Sequence, residues 1–371
     1  MAMLNGSTAA AAANLIPRSR IEAVLSVSPL KVTDPRRSCQ VSATDSGGSG
    51  IFWSCLHIIM YYEKASGEDS GWLVAGWMKE SLGRALMEQP MLAGRLRRGG
   101  DDGGLEIVSN DSGVRLLEAR IPKTLSEFLD LRKKKKEDAE AELVIWKDGD
   151  EQNPQFCPLF YVQVTNFECG GYSVGLSCSI LLADTLVITS FLKRWANIHN
   201  NLVSKADMPK IPMFYAPHHK PNSCYPTNPF GSSKNHGQSM IFKIPNKSLM
   251  GNKTVALLCI EEAERKLGVE MASKFSLIVK ESSENIKVED CWKEEIVEKP
   301  SSFVNGLMSC ASWDDLEASE VAFHEGNKPV HVSYWIYSVS GGLAMVIPSP
   351  DHDEAVSGVH IIVTIPNEKE I

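Results

Sequence analysis

The chain has 371 residues and a formal net charge of −8, and 43% of its residues are hydrophobic against 23% charged. This length exceeds one ordinary hydrophobic core and favours two domains. The acidic balance provides no broad basic face that could release counterions, which argues against nucleic acid as a partner. One basic run, "LRKKKKEDAEAE" at 131–142, turns acidic at once and is typical of a solvated loop or helix surface.

The nine cysteines are scattered, odd in number and without a Cys-x-x-Cys pair, which argues against a disulfide framework. We therefore expect a reducing compartment and a cytoplasmic protein. Cysteine and histidine lack the spacing of zinc ligands, so we expect no metal. No apolar run reaches the roughly 18 residues that a membrane span needs. Residues 1–20 are rich in alanine and free of acidic residues; we interpret them as a disordered leader, with a transit peptide as the alternative.

The first half of the chain is predicted to be mostly strands. In chain order, the patterns predict a strand and a loop at 21–42, a buried strand at 51–63, a helix at 70–90, a short strand after 90, and two strands about an Asp-Ser-Gly turn at 103–121. The clearest feature is a hairpin at 157–184, whose two β-rich runs flank a turn containing Gly170 and Gly171. An amphipathic helix is predicted to follow at 185–202.

Residues 203–238 are crowded with Pro, Asn, His and Gly, which predicts a crossover linker between an N-terminal domain at 21–202 and a C-terminal domain at 239–371. The later segment carries five strand patterns ("SMIFKI", "FSLIVK", "VHVSYWIYSV", "GGLAMVIPS" and "GVHIIVTIP") and one helix pattern at 254–268. Gly268 stands in the position of a helix C-cap. The element order predicts an α+β fold in which mixed sheets are covered by helices, twice over.

Several segments resemble plant BAHD acyltransferases, which are acyl-CoA-dependent enzymes. "PMLAGRLRR" (90–98) is similar to the family's "PLAGRL" turn, and "PLFYVQVTNFECGGYSVGLSCS" (158–179) is similar to the hairpin that leads to the active site. "FLKRWANIH" (191–199) resembles the helix after it, and "GNKPVHVSYWI" (326–336) resembles a later strand. The resemblance implies two chloramphenicol-acetyltransferase-like domains with a channel between them. The region between Cys291 and Phe323 is shorter than in the family, so we expect a truncated C-terminal domain.

In this family a histidine in the motif H-x-x-x-D-G removes the proton from an acceptor hydroxyl or amine, which then attacks the acyl thioester. Here the motif reads Ile180-Leu181-Leu182-Ala183-Asp184-Thr185. Isoleucine cannot accept a proton, so the resemblance implies that the catalytic base is missing. Asp184 has two interpretations: a structural anchor paired with a basic residue of the second domain, for which Lys280 is the nearest candidate, or an ordinary helix N-cap. The second family motif, D-F-G-W-G, aligns with 320–330, where Phe323 and Gly326 persist but the Asp and Trp do not.

Other side chains have a functional and a structural interpretation. His324, in the broken second motif, is either a substitute base or an ordinary surface histidine. Cys178 shares a strand face with residue 180 and is either a nucleophile or a buried structural thiol. His218 and His219 lack a third metal ligand. We interpret the four tryptophans Trp53, Trp72, Trp77 and Trp195 as core aromatics.

The sequence therefore supports two functions. The first is a monomeric acyltransferase that uses acyl-CoA as co-substrate and an alcohol or amine as acceptor, with a rate that is weak or lost. The alternative is a non-catalytic accessory protein, because "VEDCWKEEIVE" (288–298) resembles the eceriferum subgroup, whose members assist very-long-chain fatty-acid elongation for cuticular wax. Its partner would be a fatty-acid elongase component, which would bring the protein to the endoplasmic reticulum. A chain too truncated to fold stably is the third alternative.

Overall fold

The computed structural model describes residues 16–43, 54–64, 71–99, 104–147, 150, 152–204, 237–245, 251–295, 308–337, 341–349 and 358–366. Its strands are β1 (Arg20–Val27), β2 (Ser38–Ala43), β3 (Cys55–Tyr62), β4 (Arg95–Arg98), β5 (Leu105–Val108), β6 (Val114–Ile121), β7 (Phe160–Phe167), β8 (Tyr172–Ser179), β9 (Gly237–Ile244), β10 (Lys274–Lys280), β11 (Asn285–Trp292), β12 (Ser309–Ala311), β13 (His331–Tyr337), β14 (Leu343–Pro348) and β15 (Val359–Pro366). Its α-helices are α1 (Gly71–Ala85), α2 (Leu125–Lys134), α3 (Lys136–Ala141), α4 (Thr185–Val203) and α5 (Asn252–Leu267).

The strands form two mixed sheets. The first has six strands in the order β1-β6-β7-β8-β3-β13, and the second has nine in the order β12-β9-β15-β14-β10-β11-β2-β5-β4. The central strands β3, β7 and β8 are buried along their whole lengths. In β3 this burial is matched by a nearly continuous apolar run. In β8 larger apolar residues alternate with Ser and Gly, which are small enough to be buried on the other face. The predicted α+β class is confirmed.

The two sheets exchange strands across the chain. β2, β5 and β4 come from the first third of the chain but extend the second sheet, where β2 pairs in parallel with β11. In the opposite direction, β13 comes from the last part of the chain and closes the first sheet against β3. A division at the linker therefore does not coincide with the sheets, and the domain boundaries stay a prediction. Of the linker, 205–236 lies outside the described residues.

The helices begin and end where the sequence supplies caps. Thr124 and Glu127 form a capping box at the start of α2, in which each side chain accepts a hydrogen bond from the other's backbone. α5 ends at Gly268, which has a φ of 67° in the left-handed region, as the sequence predicted. No helix within the described ranges is long and apolar enough to cross a membrane.

The hydrophobic core runs through both sheets. One cluster joins Leu56 and Leu176 of the first sheet to Ile278 and Val288 of the second, and it contains Trp195 of α4. α5 packs on the other face of the second sheet in a cluster of its own. A third cluster covers the opposite face of the first sheet beneath α2 and α3. The first of these clusters is the one that joins the two sheets.

Most predicted elements are present at their predicted places, with several differences. β2, which lies in the predicted loop, was not predicted as a strand, nor were β11 and β12, and α2 and α3 were not predicted as helices. The two strands at 103–121 exist, but they are not a hairpin, since β5 pairs with β2 and β4 whereas β6 pairs with β1 and β7. Of the predicted leader, 1–15 lies outside the described residues, and β1 already begins at Arg20.

Candidate functional site at the β8–α4 corner

The corner between β8 and α4 is fixed by its main chain. Ser179 ends β8, Ile180–Leu182 form one 3₁₀ turn, and α4 begins at Thr185. The N–H of Ser179 donates to the carbonyl of Leu159 at 2.8 Å, and the N–H of Ile180 donates to the carbonyl of Ser54 at 3.0 Å. These bonds tie the turn to the ends of both neighbouring strands, so its shape does not depend on the side chain at 180.

Ile180 is buried within this corner. Its residue is 1% exposed and belongs to the core cluster that also contains Cys178 and Leu181, and this cluster continues into the second sheet through Ile278 and Ile286. An aliphatic side chain in such a place contributes packing energy, about 1.5–3 kcal/mol for full burial. It neither donates nor accepts a proton.

Asp184 fulfils both roles that the sequence left open. Its Oδ1 accepts hydrogen bonds from the N–H groups of Leu186 and Val187, each at 3.1 Å, which makes it the N-cap of α4. Its Oδ2 accepts a hydrogen bond from Lys280 Nζ at 2.6 Å. One oxygen therefore caps the helix while the other forms the predicted ion pair with Lys280.

Lys280 brings the second sheet to the corner. It is the last residue of β10, and its side chain is 29% exposed against 10% for Asp184. Its ammonium also acts on Cys39 of β2, whose pKa is raised by burial and lowered in part by the Lys280 charge. Lysine donates to a single oxygen here, whereas an arginine could have bound the carboxylate through two parallel bonds.

Cys178 has the surroundings of a structural thiol. It is 2% exposed, and its Sγ–H donates to the carbonyl of Ser179 at 3.5 Å. Burial raises the pKa of this thiol far above its ordinary value, because nothing nearby stabilises the thiolate. This environment gives the nucleophile interpretation no support.

His324 lies far from Ile180 along α4. The preceding residues fix its place: Asn200, near the end of α4, donates to the carbonyl of Ala322 at 2.7 Å, and Phe323 packs against Trp195 with ring centroids 4.8 Å apart. Sixteen residues of helix separate Asn200 from Asp184, which corresponds to about 24 Å at 1.5 Å per residue. The structure therefore does not bring His324 to the corner, and Phe323 is a buried anchor.

Two further predictions concern histidines and tryptophans. His218 and His219 lie outside the described residues. Within the described ranges, no group of three or more His, Cys, Asp or Glu side chains is placed to hold a metal ion. Trp77 and Trp195 are buried core aromatics as predicted, while the side chains of Trp53 and Trp72 are outside the described set.

A groove of about 580 Å³ opens at the opposite end of the β7–β8 hairpin. Its lining includes Thr124 and Leu125 at the start of α2, Cys169 in the hairpin turn, and His331. Neither Ile180 nor Asp184 lines it. The eight residues of β8 separate it from the corner, which is about 27 Å of extended chain.

A polar cluster behind the corner was missed by the sequence analysis. His57 on β3 contacts Cys55 of the same strand and Ser177 of β8, at 3.0 and 2.8 Å. The signal was available in the spacing, because residues 55 and 57 of one strand share a face. It was overlooked because the segment was interpreted only as a buried strand.

The comparisons with known proteins identify the family. The model of the family described as "Transferase family" matches residues 29–239, which is more than half of the chain. The chain belongs to the BAHD acyltransferase family. The match includes 90–98, the β7–β8 hairpin, the corner and α4, whereas the resembling segments 288–298 and 326–336 lie outside it.

The relatives of this BAHD protein are plant enzymes and one protein of the eceriferum type. A hydroxycinnamoyltransferase of Narcissus pseudonarcissus is 33% identical over 143 residues, which is 38% of this chain and 32% of the relative. Protein ECERIFERUM 26-like of Arabidopsis thaliana is 28% identical over 119 residues, which is 32% of this chain and 27% of the relative. The matched part thus spans about a third or less of these two relatives. Among solved structures, vinorine synthase is 16% identical with a TM-score of 0.44, covering 94% of this chain and 95% of its own.

Proposed function

We propose that this chain is a BAHD protein in which acyl transfer from acyl-CoA to an alcohol or amine is weak or lost, while the framework of the corner is retained. The supporting observation is Ile180, which occupies the place that the sequence resemblance assigns to the family's histidine. Ile180 is buried among aliphatic neighbours. A neutral hydroxyl is a poor nucleophile at neutral pH, and losing a general base costs roughly 10²–10⁴ in rate.

The retained framework supports a loss of chemistry at a corner whose shape is kept. Asp184 still caps α4 and still bridges to the second sheet through Lys280. Main-chain bonds hold residue 180 in the turn whatever its side chain. A histidine introduced at 180 would therefore stand on an already formed corner, and positioning of bound reactants alone can lower a barrier by several kcal/mol.

The decisive experiment compares the unmodified chain with Ile180→His and Ile180→Gln. Each protein is incubated with a panel of acyl-CoAs and with alcohol and amine acceptors, and free CoA release is measured. We expect the unmodified chain and Ile180→Gln to stay near background, while Ile180→His rises by roughly 10²-fold. Gln is the matched control, since it is polar at 180 without being a base. Efficient transfer by the unmodified chain would overturn the proposal.

A His324→Ala variant tests the substitute base in the same assay. If residual transfer by the unmodified chain fell to background in this variant, His324 would take part in catalysis despite its distance from the corner. We expect no change, because the 24 Å estimated along α4 exceeds the reach of any proton-transfer contact.

The second candidate is the accessory role in very-long-chain fatty-acid elongation. It is supported by the similarity to ECERIFERUM 26-like and by the run 288–298, whose first part forms β11 in the second sheet. Such a role needs a binding surface and no base, so it is compatible with Ile180. The elongase component and the endoplasmic reticulum location belong to this candidate.

Co-expression with an elongase condensing subunit tests the accessory role. We expect longer acyl chains in the lipid profile and co-purification of the subunit with the tagged chain. Ile180→Gln should behave like the unmodified chain in this assay, because the base plays no part. An unaltered chain-length profile together with no co-purification would contradict the accessory role. That outcome would not bear on the weakened acyltransferase, which the acyl-CoA transfer assay tests separately.

A further inference from the structure

Three polar side chains form a chain of contacts inside the first sheet, on the face opposite Ile180. Cys55 Sγ lies 3.0 Å from Nε2 of His57, and Nδ1 of the same ring lies 2.8 Å from Ser177 Oγ. All three are buried, with exposures of 0%, 2% and 1%. β3 and β8 align directly here, since His57 is paired with Ser177 and Cys55 with Ser179.

An aromatic ring covers the imidazole. Trp335 of the edge strand β13 is paired with His57, and the two ring centroids are 4.7 Å apart with an angle of 31° between the planes. An indole face attracts a cation placed against it. The cluster around Cys55 also contains Trp146, Tyr161 and the aliphatic Leu117, with Tyr337 and two isoleucines packed against it.

These contacts can accommodate a protonated ring, although they do not by themselves fix its tautomer. Ser177 Oγ can accept a hydrogen bond from Nδ1–H, Cys55 Sγ can accept one from Nε2–H, and Trp335 stabilises the positive charge. A ring that donates at both nitrogens is imidazolium, and its counterion is the sulfur. The geometry points to a thiolate–imidazolium pair formed by Cys55 and His57, and we propose that this pair is a peroxide-reactive modification site closed by strand β13.

Two tyrosines pack around the pair. Tyr161 lies on β7, and burial raises the pKa of its hydroxyl well above the ordinary value, with the charges of Arg95 and Arg115 opposing that rise. Tyr337 lies on β13 and is paired with Cys55. Trp146 and Trp335 carry no titratable group.

The reaction with peroxide balances with the groups present. The Cys55 thiolate attacks one peroxide oxygen, an S–O bond forms and the O–O bond breaks. The sulfur is oxidised by two electrons to a sulfenic acid, and the leaving hydroxide takes the proton of His57 to become water. The ring is then neutral, and the added oxygen must fit into a site where Cys55 is fully buried.

Access to the site depends on the edge strand. Among the described strands, β13 is paired only with β3, and it comes from the last part of the chain. Edge strands open locally at less cost than central ones. Opening β13 removes Trp335 and Tyr337 together, so the same strand that stabilises the ion pair also controls the entry of peroxide.

Cys178 provides a matched control on the same pair of strands. It is paired with Leu56, one position from Cys55, and is equally buried but faces the opposite side of the sheet. Its thiol donates to a main-chain carbonyl and has no imidazole partner among its described hydrogen bonds. The two cysteines differ mainly in the contact with His57.

The first test measures the thiolate directly by its ultraviolet absorbance between pH 5 and 10, which needs no access to the site. We expect a thiolate signal at neutral pH that disappears in Cys55→Ser and in His57→Gln and persists in Cys178→Ser. If the signal removed by Cys55→Ser appeared only at alkaline pH, the ion pair would be absent and the proposal overturned.

The second test uses the unmodified chain, so it does not depend on any variant folding. Protein treated with hydrogen peroxide is trapped with a sulfenic-acid reagent and digested, and peptides are quantified by mass spectrometry. We expect the Cys55 peptide to be labelled roughly tenfold or more faster than the Cys178 peptide, with a lowered melting temperature after oxidation. Label confined to the exposed thiols Cys169 and Cys310 would overturn the proposal.

Discussion

Glu118 on β6 is a carboxyl buried without a hydrogen-bond partner for either oxygen among the described residues. Burial, and then the negative charge of Glu22, raise its pKa to about 7, against an opposing effect of Lys79. Between the ordinary carboxyl value and pH 7, the folded chain holds a proton that the unfolded chain has released. The stability contributed by this protonated form is present at low pH and lost as the pH rises through 7.

The substitution Glu118→Gln should remove the loss of stability that accompanies deprotonation of Glu118 as the pH rises. We expect the free energy of unfolding of the variant to exceed that of the unmodified chain increasingly from pH 5 to 8, by about 1.4 kcal/mol for each unit of pKa shift. Urea titrations at several pH values measure the difference, with the exposed Glu88→Gln as a control. A difference that does not vary with pH would contradict the prediction.

His199 makes the free energy of unfolding change with pH in the opposite direction to Glu118. The effect of Glu118 must therefore be measured as the difference between Glu118→Gln and the unmodified chain at each pH. Burial lowers the pKa of this imidazole to about 3, and the ring contacts Ser81 at 3.2 Å and Phe323. Below the ordinary pKa of histidine, His199 is protonated in the unfolded chain but stays neutral in the folded chain. The free energy of unfolding therefore falls as the pH falls. The unmodified chain therefore combines two opposing effects between pH 5 and 7.

Residue roles were partly predictable. Asp184 could be assigned from its position before a helix, and Lys280 from the family's pattern of an anchor in the second domain. The contact between His57 and Ser177 could not be predicted from the sequence. It depends on the register between β3 and β8, and this register is set by the whole sheet. The place of His324 depended on Phe323, an aromatic residue whose ring partners lie on α4 and β3.

At the scale of elements, the start of α4 is held by two interactions through one carboxylate. Asp184→Asn keeps an oxygen for the cap but removes the charge that Lys280 binds, whereas Asp184→Ala removes both. Lys280→Met removes only the bridge. This separates the capping of a helix from the joining of two sheets.

We expect Asp184→Asn and Lys280→Met to destabilise the chain equally, by about 1–2 kcal/mol, as the pair is partly shielded from solvent. Asp184→Ala should cost about 1 kcal/mol more, the worth of an N-cap. The double variant Asp184→Asn/Lys280→Met should lose no more than either single variant. Thermal and urea unfolding measure these values, and full additivity of the two single changes would contradict a shared interaction.

Buried apolar strands and the helices that follow the hairpin and the linker were predictable from local pattern. β11 was missed although its first residues alternate between exposed and buried as in a half-buried strand, because its charged residues obscured that pattern. β12 has only three residues, too few for any periodic signal. β5 pairs with β2 and β4 instead of β6, and this pairing depends on long-range contacts that the local sequence does not contain.

For the whole molecule, the exchange of strands couples the two halves. A fragment ending at residue 204 would lose β13 and expose the apolar edge of β3. It would also leave β2, β5 and β4 without the rest of the second sheet. Exposed edges of this kind promote aggregation.

We therefore expect fragment 1–204 to lack a cooperative thermal transition, and co-expression with fragment 205–371 to restore one. Circular dichroism and gel filtration measure both outcomes. A cooperative melt of the first fragment alone as a monomer would show that its half folds independently, contrary to the expectation from the sheets. The full chain serves as the reference for the transition.

The main-chain bonds at residue 180 have an evolutionary consequence. Because Ser54 and the backbone amide hold the turn, the fold is indifferent to whether an imidazole or a hydrocarbon stands there, and a hydrocarbon gains energy from its surroundings. Selection for stability alone would therefore favour a hydrocarbon at position 180 without altering the main-chain geometry of the turn. We expect the backbone of this corner to persist whether or not a base stands at position 180.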